Sequence, residues 1–215
     1  MTQEIGFQGS TGERLRLDDT SQAILSAALD EIREGGYRDE SFARIAAAAG
    51  LTREQLHDLY PDERELLVDT LRLRDDRALD FVPEGPGDGR AMLQGFIDIA
   101  RYNQETPGSV ELFTIMAASA TSPDHPGHAY FRARYAWSRQ LLIDALRELE
   151  EEGELRRRAN PEEVAAQAIA LLDGLQVQWL LDREVVDLEG MVRRFLNQFL
   201  YTPLEPGRPV VLPRA

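Results

Sequence analysis

The chain of 215 residues contains no cysteine and no lysine, so arginine supplies all 24 of its strongly basic side chains. The absence of cysteine excludes disulfides and thiolate metal sites and fits a reducing compartment. No apolar run reaches the roughly 18–20 residues that span a bilayer, and the polar start of the chain does not resemble a signal peptide. Because 43% of the residues are hydrophobic, a packed core is expected. We therefore expect a globular protein of the cytoplasm, with no membrane segment.

Positive charge is also scarce, because 38 acidic residues give the chain a formal net charge of −14. Such acidity opposes non-specific attraction to phosphates. A nucleic acid could be bound only where basic and hydrogen-bonding groups converge on one local face.

Helical periodicity dominates the sequence, and no segment alternates with the period of a half-buried strand. The start and stop signals predict an all-α fold of about nine helices, near residues 20–34, 41–48, 53–60, 63–81, 90–104, 107–120, 128–153, 161–181 and 188–200. We divide the chain into a flexible N-terminal arm (1–17), a helix-turn-helix DNA-binding domain (18–62), a ligand-binding and dimerisation domain (63–201) and a flexible tail (202–215).

The stretch from Phe42 to Pro61 has the spacing of a helix-turn-helix. Ala46 is the small residue expected where two helices cross, and Gly50 follows as a turn residue that tolerates positive φ. Leu56 is placed to hold the second helix against the first. An ordinary pair of short packed helices is the alternative interpretation.

Thr52 and Gln55 form a predicted capping box, so Thr52 opens the second helix. Leu56 and Leu59 are expected to turn inward. The residues expected to contact DNA from this helix and its partner are Arg44, Thr52, Arg53, Gln55, His57 and Tyr60.

These residues resemble the N-terminal three-helix domain of the TetR family. The resemblance is carried by Ile24-Leu25, Gly36-Tyr37, Ile45-Ala46, Ala49 to Thr52 and Leu66-Leu67, and it extends more loosely to residues 123–135 and 170–182. It implies a two-domain, all-α homodimer, usually a repressor that a ligand releases from a palindromic operator in double-stranded DNA.

Two departures from that family pattern concern phosphate contacts. His57 stands where the family commonly has tyrosine, and Glu63 where it commonly has lysine. Between Ser41 and Glu65 there are three arginines against five acids. We therefore expect weak non-specific affinity that relies on Arg44, Arg53 and either Arg14 or Arg16 of the arm.

Residues 164–181 are apolar around most of a helix circumference, which indicates burial on two sides. A partner subunit is the expected second side, although a core helix of a monomer has the same pattern. The predicted dimerisation residues are Ala170, Gly174, Val177, Phe195 and Phe199.

A cavity between the middle helices is expected to bind a small, largely apolar effector. Its candidate lining combines aromatic or apolar side chains with polar groups in apolar stretches, namely Phe96, Tyr102, Asn103, Phe113, Met116, Phe131, Tyr135, Asp173, Gln176 and Trp179. Ordinary core packing, with the polar groups satisfying one another, is the alternative.

No metal, cofactor or catalytic activity is predicted. His125 and His128 are three residues apart, but no third ligand is evident and a loop with a helix start explains them equally. No nucleophile–base pair or phosphate loop is specific enough to propose catalysis. We expect a sequence-specific transcriptional regulator, most simply a repressor released by its effector. The alternative is a ligand-binding helical dimer with weak or lost DNA binding.

Overall fold

The computed structural model describes residues 17–83 and 87–208, which fold into nine α-helices and confirm the predicted all-α class. The helices are α1 (Asp19–Gly35), α2 (Ser41–Ala48), α3 (Arg53–Leu59), α4 (Glu63–Ala78), α5 (Gly89–Glu105), α6 (Pro107–Ser119), α7 (His128–Glu151), α8 (Pro161–Leu181) and α9 (Leu188–Asn197). A short 3₁₀ turn (Leu79–Phe81) follows α4. In these residues the only β-type pairing is an isolated bridge between Leu155 and Leu200. Arg14 and Arg16 lie outside the described residues.

Side-chain caps start most of these helices where the sequence predicts. The carboxylate of Asp62 accepts a hydrogen bond from the Arg64 amide at the start of α4. Asn160 accepts one from Glu163 at the start of α8, where Pro161 occupies the first turn. These contacts satisfy N–H groups that have no partner within the helix.

The first three helices, here called the headpiece, pack around one apolar cluster that also takes in part of α4. Its buried members come from all four helices, namely Ile24, Leu25, Ala28, Leu29, Phe42, Ile45, Ala46, Leu56, Leu66 and Leu73. Because Leu66 and Leu73 lie on α4, that helix shares the core of the headpiece.

The helices α5 to α9, here called the effector domain, enclose a second and larger core. It is built mainly from α5, α7, α8 and α9, with Leu93, Leu146, Leu172 and Val192 among its buried side chains. The packing of these amphipathic helices buries their apolar stripes against one another.

A third cluster joins the headpiece to the effector domain. It includes Ile32 of α1, Leu71 of α4 and Met116 of α6. At the start of α6, a Cβ on Gly108 would lie 1.8 Å from the carbonyl oxygen of Ile32, so the two backbones are in direct contact there. The start of α6 therefore packs directly against the backbone at the end of α1.

Helix α8 has no unbroken apolar run of 18 residues, but its length and mean hydropathy reach those of a membrane-spanning helix. By length and composition alone, its 21 residues qualify. One side of α8 nevertheless lies in the effector-domain core, where Val164, Ala168 and Leu172 are buried. A core helix passes the same test.

The predicted flexible tail is held against the protein at its start. The Leu204 side chain is 3% exposed. The backbone N–H groups of Glu205, Gly207 and Arg208 donate to Gln94, Glu189 and Asp98 respectively. The proline content suggested a loose extension, but these side chains on α5 and α9 satisfy the backbone of residues 204–208. Residues 209–215 lie outside the described part of the chain.

Candidate DNA-binding face and effector cavity

The turn between α2 and α3 has the geometry that its spacing predicts. Ala46 is 1% exposed and Leu56 is fully buried, so the two helices cross closely. Gly50 adopts φ +75°, a left-handed conformation that favours glycine. The amide of Leu51 returns a hydrogen bond to the carbonyl of Ala46. The arrangement is a helix-turn-helix.

A reciprocal capping box fixes the start of α3. The Thr52 hydroxyl accepts from the Gln55 amide at 3.2 Å, and the Gln55 side-chain oxygen accepts from the Thr52 amide at 2.8 Å. Both residues stay exposed. The box orients the first turn of α3 and leaves the Gln55 side-chain NH₂ group pointing away from the cap.

The outer face of α3 presents Arg53, Glu54, His57 and Asp58, all exposed. Its own amide and the Thr52 side chain lower the pKa of Glu54, which keeps this carboxylate charged. The expectation that Leu59 turns inward is wrong, because α3 ends at Leu59 and the side chain is 50% exposed. Leu59 lies three residues after the buried Leu56 on the same helix, but at the last position of α3 the described residues leave half of its side chain exposed.

Tyr60 does not lie free on this face. Its ring packs against the headpiece core, and its hydroxyl donates to Asp69 of α4 at 3.2 Å. Burial raises the pKa of Tyr60 above its usual value. The structure thus places Tyr60 in the α3–α4 contact.

Most of the scarce positive charge near the headpiece surface is paired internally. Arg44 contacts Glu31 at 2.5 Å and Glu40 at 3.2 Å, and its hydrogen bond lowers the pKa of Glu31. Arg64 is bound to Asp62 at 2.7 Å. Between Ser41 and Glu65, Arg53 is the arginine with no hydrogen bond or ion pair to any described residue.

A cavity of about 90 Å³ lies in the effector domain, between α4, α5, α6, α7 and α8. Of the predicted effector-binding residues, it is lined by Phe96, Tyr102, Asn103, Phe113, Asp173 and Gln176. The cavity is therefore mostly apolar and aromatic, with a small number of polar groups, as ligand sites generally are.

Four predicted lining residues lie elsewhere. Met116 and Phe131 belong to the cluster that joins the two regions, and Trp179 is buried in the effector-domain core. Tyr135 stands behind the wall, where its hydroxyl donates to Asp173 at 2.8 Å. The apolar spacing of these residues predicted that their side chains are buried. Packing within the protein core buries them without any ligand.

The sequence interpretation found Asp173 but missed three other charged lining residues, Arg74 and Asp75 on α4 and Arg134 on α7, together with Trp137 and Ser138. In sequence, such residues on amphipathic helices indicate a solvated face. The one signal that could have found them is the position of Arg74 on the buried stripe that contains Leu67 and Leu71.

Asp75 organises the charges on this side of the cavity. Its Oδ2 accepts from the Tyr130 hydroxyl at 2.6 Å and from Arg134 Nε at 2.7 Å. Its Oδ1 lies 3.7 Å from Arg74 Nη1. Burial raises the pKa of Tyr130 well above its usual value, so the phenol stays a donor.

Both guanidinium groups also cover the ring of Phe113, with Arg134 at 4.5 Å and Arg74 at 5.5 Å from its centroid. Arg74 further donates to Asn103 at 2.6 Å. On the opposite wall, the pKa of Asp173 is raised, because burial outweighs the opposing effects of the Tyr135 hydrogen bond and the two arginines.

Two buried polar atoms of the lining residues have no hydrogen-bond partner among residues 17–83 and 87–208. They are Arg74 Nε, on a residue 5% exposed, and Gln176 Oε1, on a residue 3% exposed. Unpaired buried polar groups are costly, so each of these two cavity-lining side chains keeps one polar atom that would gain from a partner.

Of the predicted dimerisation residues, three lie on α8, Phe195 lies on α9, and Phe199 follows two residues after the end of α9. Ala170, Gly174 and Val177 are exposed at helical spacing, and Leu181 continues the row at 83% exposure. Phe195 and Phe199 are half-buried and stack edge to face at 5.2 Å. A Cβ on Gly174 would meet nothing within 4 Å.

In residues 17–83 and 87–208, no three His, Cys, Asp or Glu side chains are grouped to hold a metal ion. His125 Nδ1 accepts from the Gly127 amide at 3.0 Å, and His128 Nδ1 donates to the Ala120 carbonyl at 2.8 Å. Both imidazoles therefore serve the loop and the start of α7.

Comparison with known proteins gives concordant matches. Residues 89–201 match the family described as the C-terminal domain of the BetI-type transcriptional repressor. The HTH-type transcriptional regulator BetI of Escherichia coli K12 is 28% identical over 193 residues, which cover 83% of this chain and 93% of that protein. BetI of Klebsiella pneumoniae is 28% identical over 194 residues, covering 84% and 93%.

Solved structures of two other regulators show the same fold. A TetR transcription regulator from Haloarcula marismortui matches with a TM-score of 0.70 and 21% identity, covering 86% of this chain and 100% of that one. A transcriptional regulator from Saccharomonospora viridis, solved with choline, matches with a TM-score of 0.63 and 22% identity, covering 83% and 94%.

Proposed function

Because this chain belongs to the TetR family of transcriptional regulators and has a BetI-type C-terminal domain, we propose that α3 binds a palindromic operator and that an effector in the cavity releases it. The chain is a DNA-binding transcriptional regulator, and the proposal concerns the residues that carry this out. The observation that carries it is that α4 forms both a wall of the cavity and part of the headpiece core.

On the DNA side, we assign the contacts to the exposed first turns of α3. Arg53 supplies a guanidinium that is exposed and has no ion pair within the described part of the chain, and such a group suits a guanine edge or a phosphate. The Gln55 NH₂ group and His57 lie on the same short helix. Thr52 orients the helix through its cap, and Arg44 contributes less because Glu31 and Glu40 hold it.

The path from cavity to DNA runs along α4. Arg74 and Asp75 line the cavity near the end of α4, and Leu66 anchors its beginning in the headpiece. Only three residues separate the end of α3 from the start of α4. A ligand that shifts α4 thereby moves α3, and coupling of about 1–3 kcal/mol weakens DNA binding roughly 5- to 150-fold.

We propose that the exposed apolar face of α8 and α9 is a homodimer interface. A palindromic operator is bound by two headpieces about one DNA turn apart, which requires a fixed partner. The open side of Gly174 allows two α8 helices to approach closely. The protein is expected to act in the cytoplasm, where its DNA lies.

The interface is tested by Gly174→Leu, which adds a side chain to the open side of α8. Sedimentation velocity should show a shift from dimer towards monomer. Ala136→Leu, at an exposed position of α7, is the matched control and should leave the dimer intact. An unchanged dimer in Gly174→Leu would contradict the proposed interface.

One observation favours a second candidate, a ligand-binding dimer with little DNA affinity. Glu54 and Asp58 are exposed on α3 itself, where carboxylates repel phosphates. Unbiased selection from a random DNA pool, followed by gel retardation at several salt concentrations, separates the two. A recovered palindrome that is retained less as salt rises supports the regulator. Recovery of no common sequence supports the second candidate.

A further inference from the structure

The charges that face the cavity balance one another. Two guanidinium groups, Arg74 and Arg134, stand against two carboxylates, Asp75 and Asp173. The first three form one connected group on α4 and α7. Burying a ligand with net charge would upset this balance, at a cost that desolvation makes large.

The Phe113 ring of the cavity wall is not a free surface for a cation. The ring of Phe113 is already covered by the guanidinium groups of Arg74 and Arg134, at 5.5 Å and 4.5 Å from its centroid. A quaternary ammonium group would have to displace them, and both repel it. Phe113 therefore offers a cation no free ring face.

The two buried atoms without a partner among the described residues, Arg74 Nε and Gln176 Oε1, differ in the group that would pair with them. Arg74 Nε–H is a donor that lacks an acceptor, and Gln176 Oε1 is an acceptor that lacks a donor. A carboxamide or hydroxyl group supplies both functions without carrying charge. Two other polar groups near the cavity already have partners, since Asn103 accepts from Arg74 and Asp173 accepts from Tyr135.

Resting on the proposed function, under which this cavity is the effector site, we propose that the effector is an uncharged molecule with a small apolar body and a carboxamide or hydroxyl group. That group accepts a hydrogen bond from Arg74 and donates one to Gln176, while the apolar body packs among Phe96, Phe113 and Trp137. The cavity of about 90 Å³ favours a compact molecule, since about 150 Å³ is known to admit benzene.

The test uses three probes that share one branched alkyl body: isobutyramide, isobutyrate and isobutylammonium. Their affinities for the full-length protein without DNA are measured by ligand-observed NMR titration. We expect isobutyramide to bind about tenfold more tightly than either ion, since an uncompensated charge or unpaired polar group costs at least that much. Tighter or equal binding of an ion, or no binding of any probe, would overturn the proposal.

Two matched variants test whether the carboxamide of isobutyramide binds at Gln176. Gln176→Leu should weaken isobutyramide binding about tenfold, because the ligand N–H loses its acceptor. Gln140→Leu, at an exposed position of α7 away from the cavity, should leave it unchanged. Equal affinities in the two variants would contradict the assigned contact.

A separate measurement keeps the two proposals apart. Isobutyramide is added to the complex of the protein with its selected operator, and DNA release is followed by fluorescence anisotropy. Binding without release contradicts the effector role of the cavity while leaving its ligand class intact. Release by an ion in place of the amide contradicts the ligand class while leaving the effector role intact.

Discussion

The headpiece and the effector domain hold their arginines in different surroundings. Arg44 is half-exposed and pairs with Glu31 and Glu40 at the headpiece surface. Arg74 is 5% exposed and lies with Asp75 against the cavity. Exposed pairs are screened by water and salt, whereas a buried pair cannot lose one member without leaving an uncompensated charge. Arg44 therefore contributes mainly to the surface charge of the headpiece, whereas Arg74 contributes to the packing around the cavity.

The largest effect expected from this difference is on stability. Asp75→Ala removes the acceptor shared by Tyr130 and Arg134, and we expect the free energy of unfolding to fall by about 3 kcal/mol. Urea denaturation followed by circular dichroism measures it. As the control, Glu162→Ala removes the partner of Arg147, a pair about half-exposed on both sides, and should cost much less. Similar losses of unfolding free energy in the two variants would contradict the difference between buried and exposed ion pairs.

A smaller loss of stability is expected when a headpiece glycine with positive φ is replaced by alanine. Gly50 has φ +75° and open space around its Cβ position, so Gly50→Ala tests conformation without a clash. We expect a loss of about 1–2 kcal/mol, the cost of a left-handed alanine, seen as a lower Tm. Gly35→Ala, in helical backbone with equally open space, should not destabilise. If both variants behave alike, the turn geometry assigned to Gly50 is wrong.

The sequence predicted the headpiece well because its signals are local. The capping box joins Thr52 to Gln55 and the turn needs only Gly50, so neighbouring residues suffice. The failure at Tyr60 comes from the end of α3, since helical spacing predicts a face only while the helix continues. Leu59 still lies within α3, and its exposure depends on tertiary packing at the helix end, which helical spacing does not indicate.

The cavity was predictable only in part, because its lining depends on contacts between distant residues. Phe96, Phe113 and Gln176 were found from apolar stripes and from polar residues within them. Arg134 becomes a lining residue by pairing with Asp75, 59 positions earlier. No periodicity within either helix indicates that pairing, and the same stripes equally describe core residues such as Trp179.

The contrast between Arg53, which has no ion pair to any described residue, and Arg44, which has two, is tested most directly by operator affinity. Fluorescence anisotropy titrations of the selected operator, at several salt concentrations, would compare wild type with Arg53→Ala and Arg44→Ala. We predict that Arg53→Ala weakens binding about tenfold or more and reduces the salt dependence, or the sequence selectivity if it contacts a base. Arg44→Ala should change affinity by no more than about twofold, since most of its charge is already neutralised within the headpiece. Unchanged operator affinity in Arg53→Ala, or a larger loss in Arg44→Ala, would contradict the assignment of α3 as the DNA-binding face.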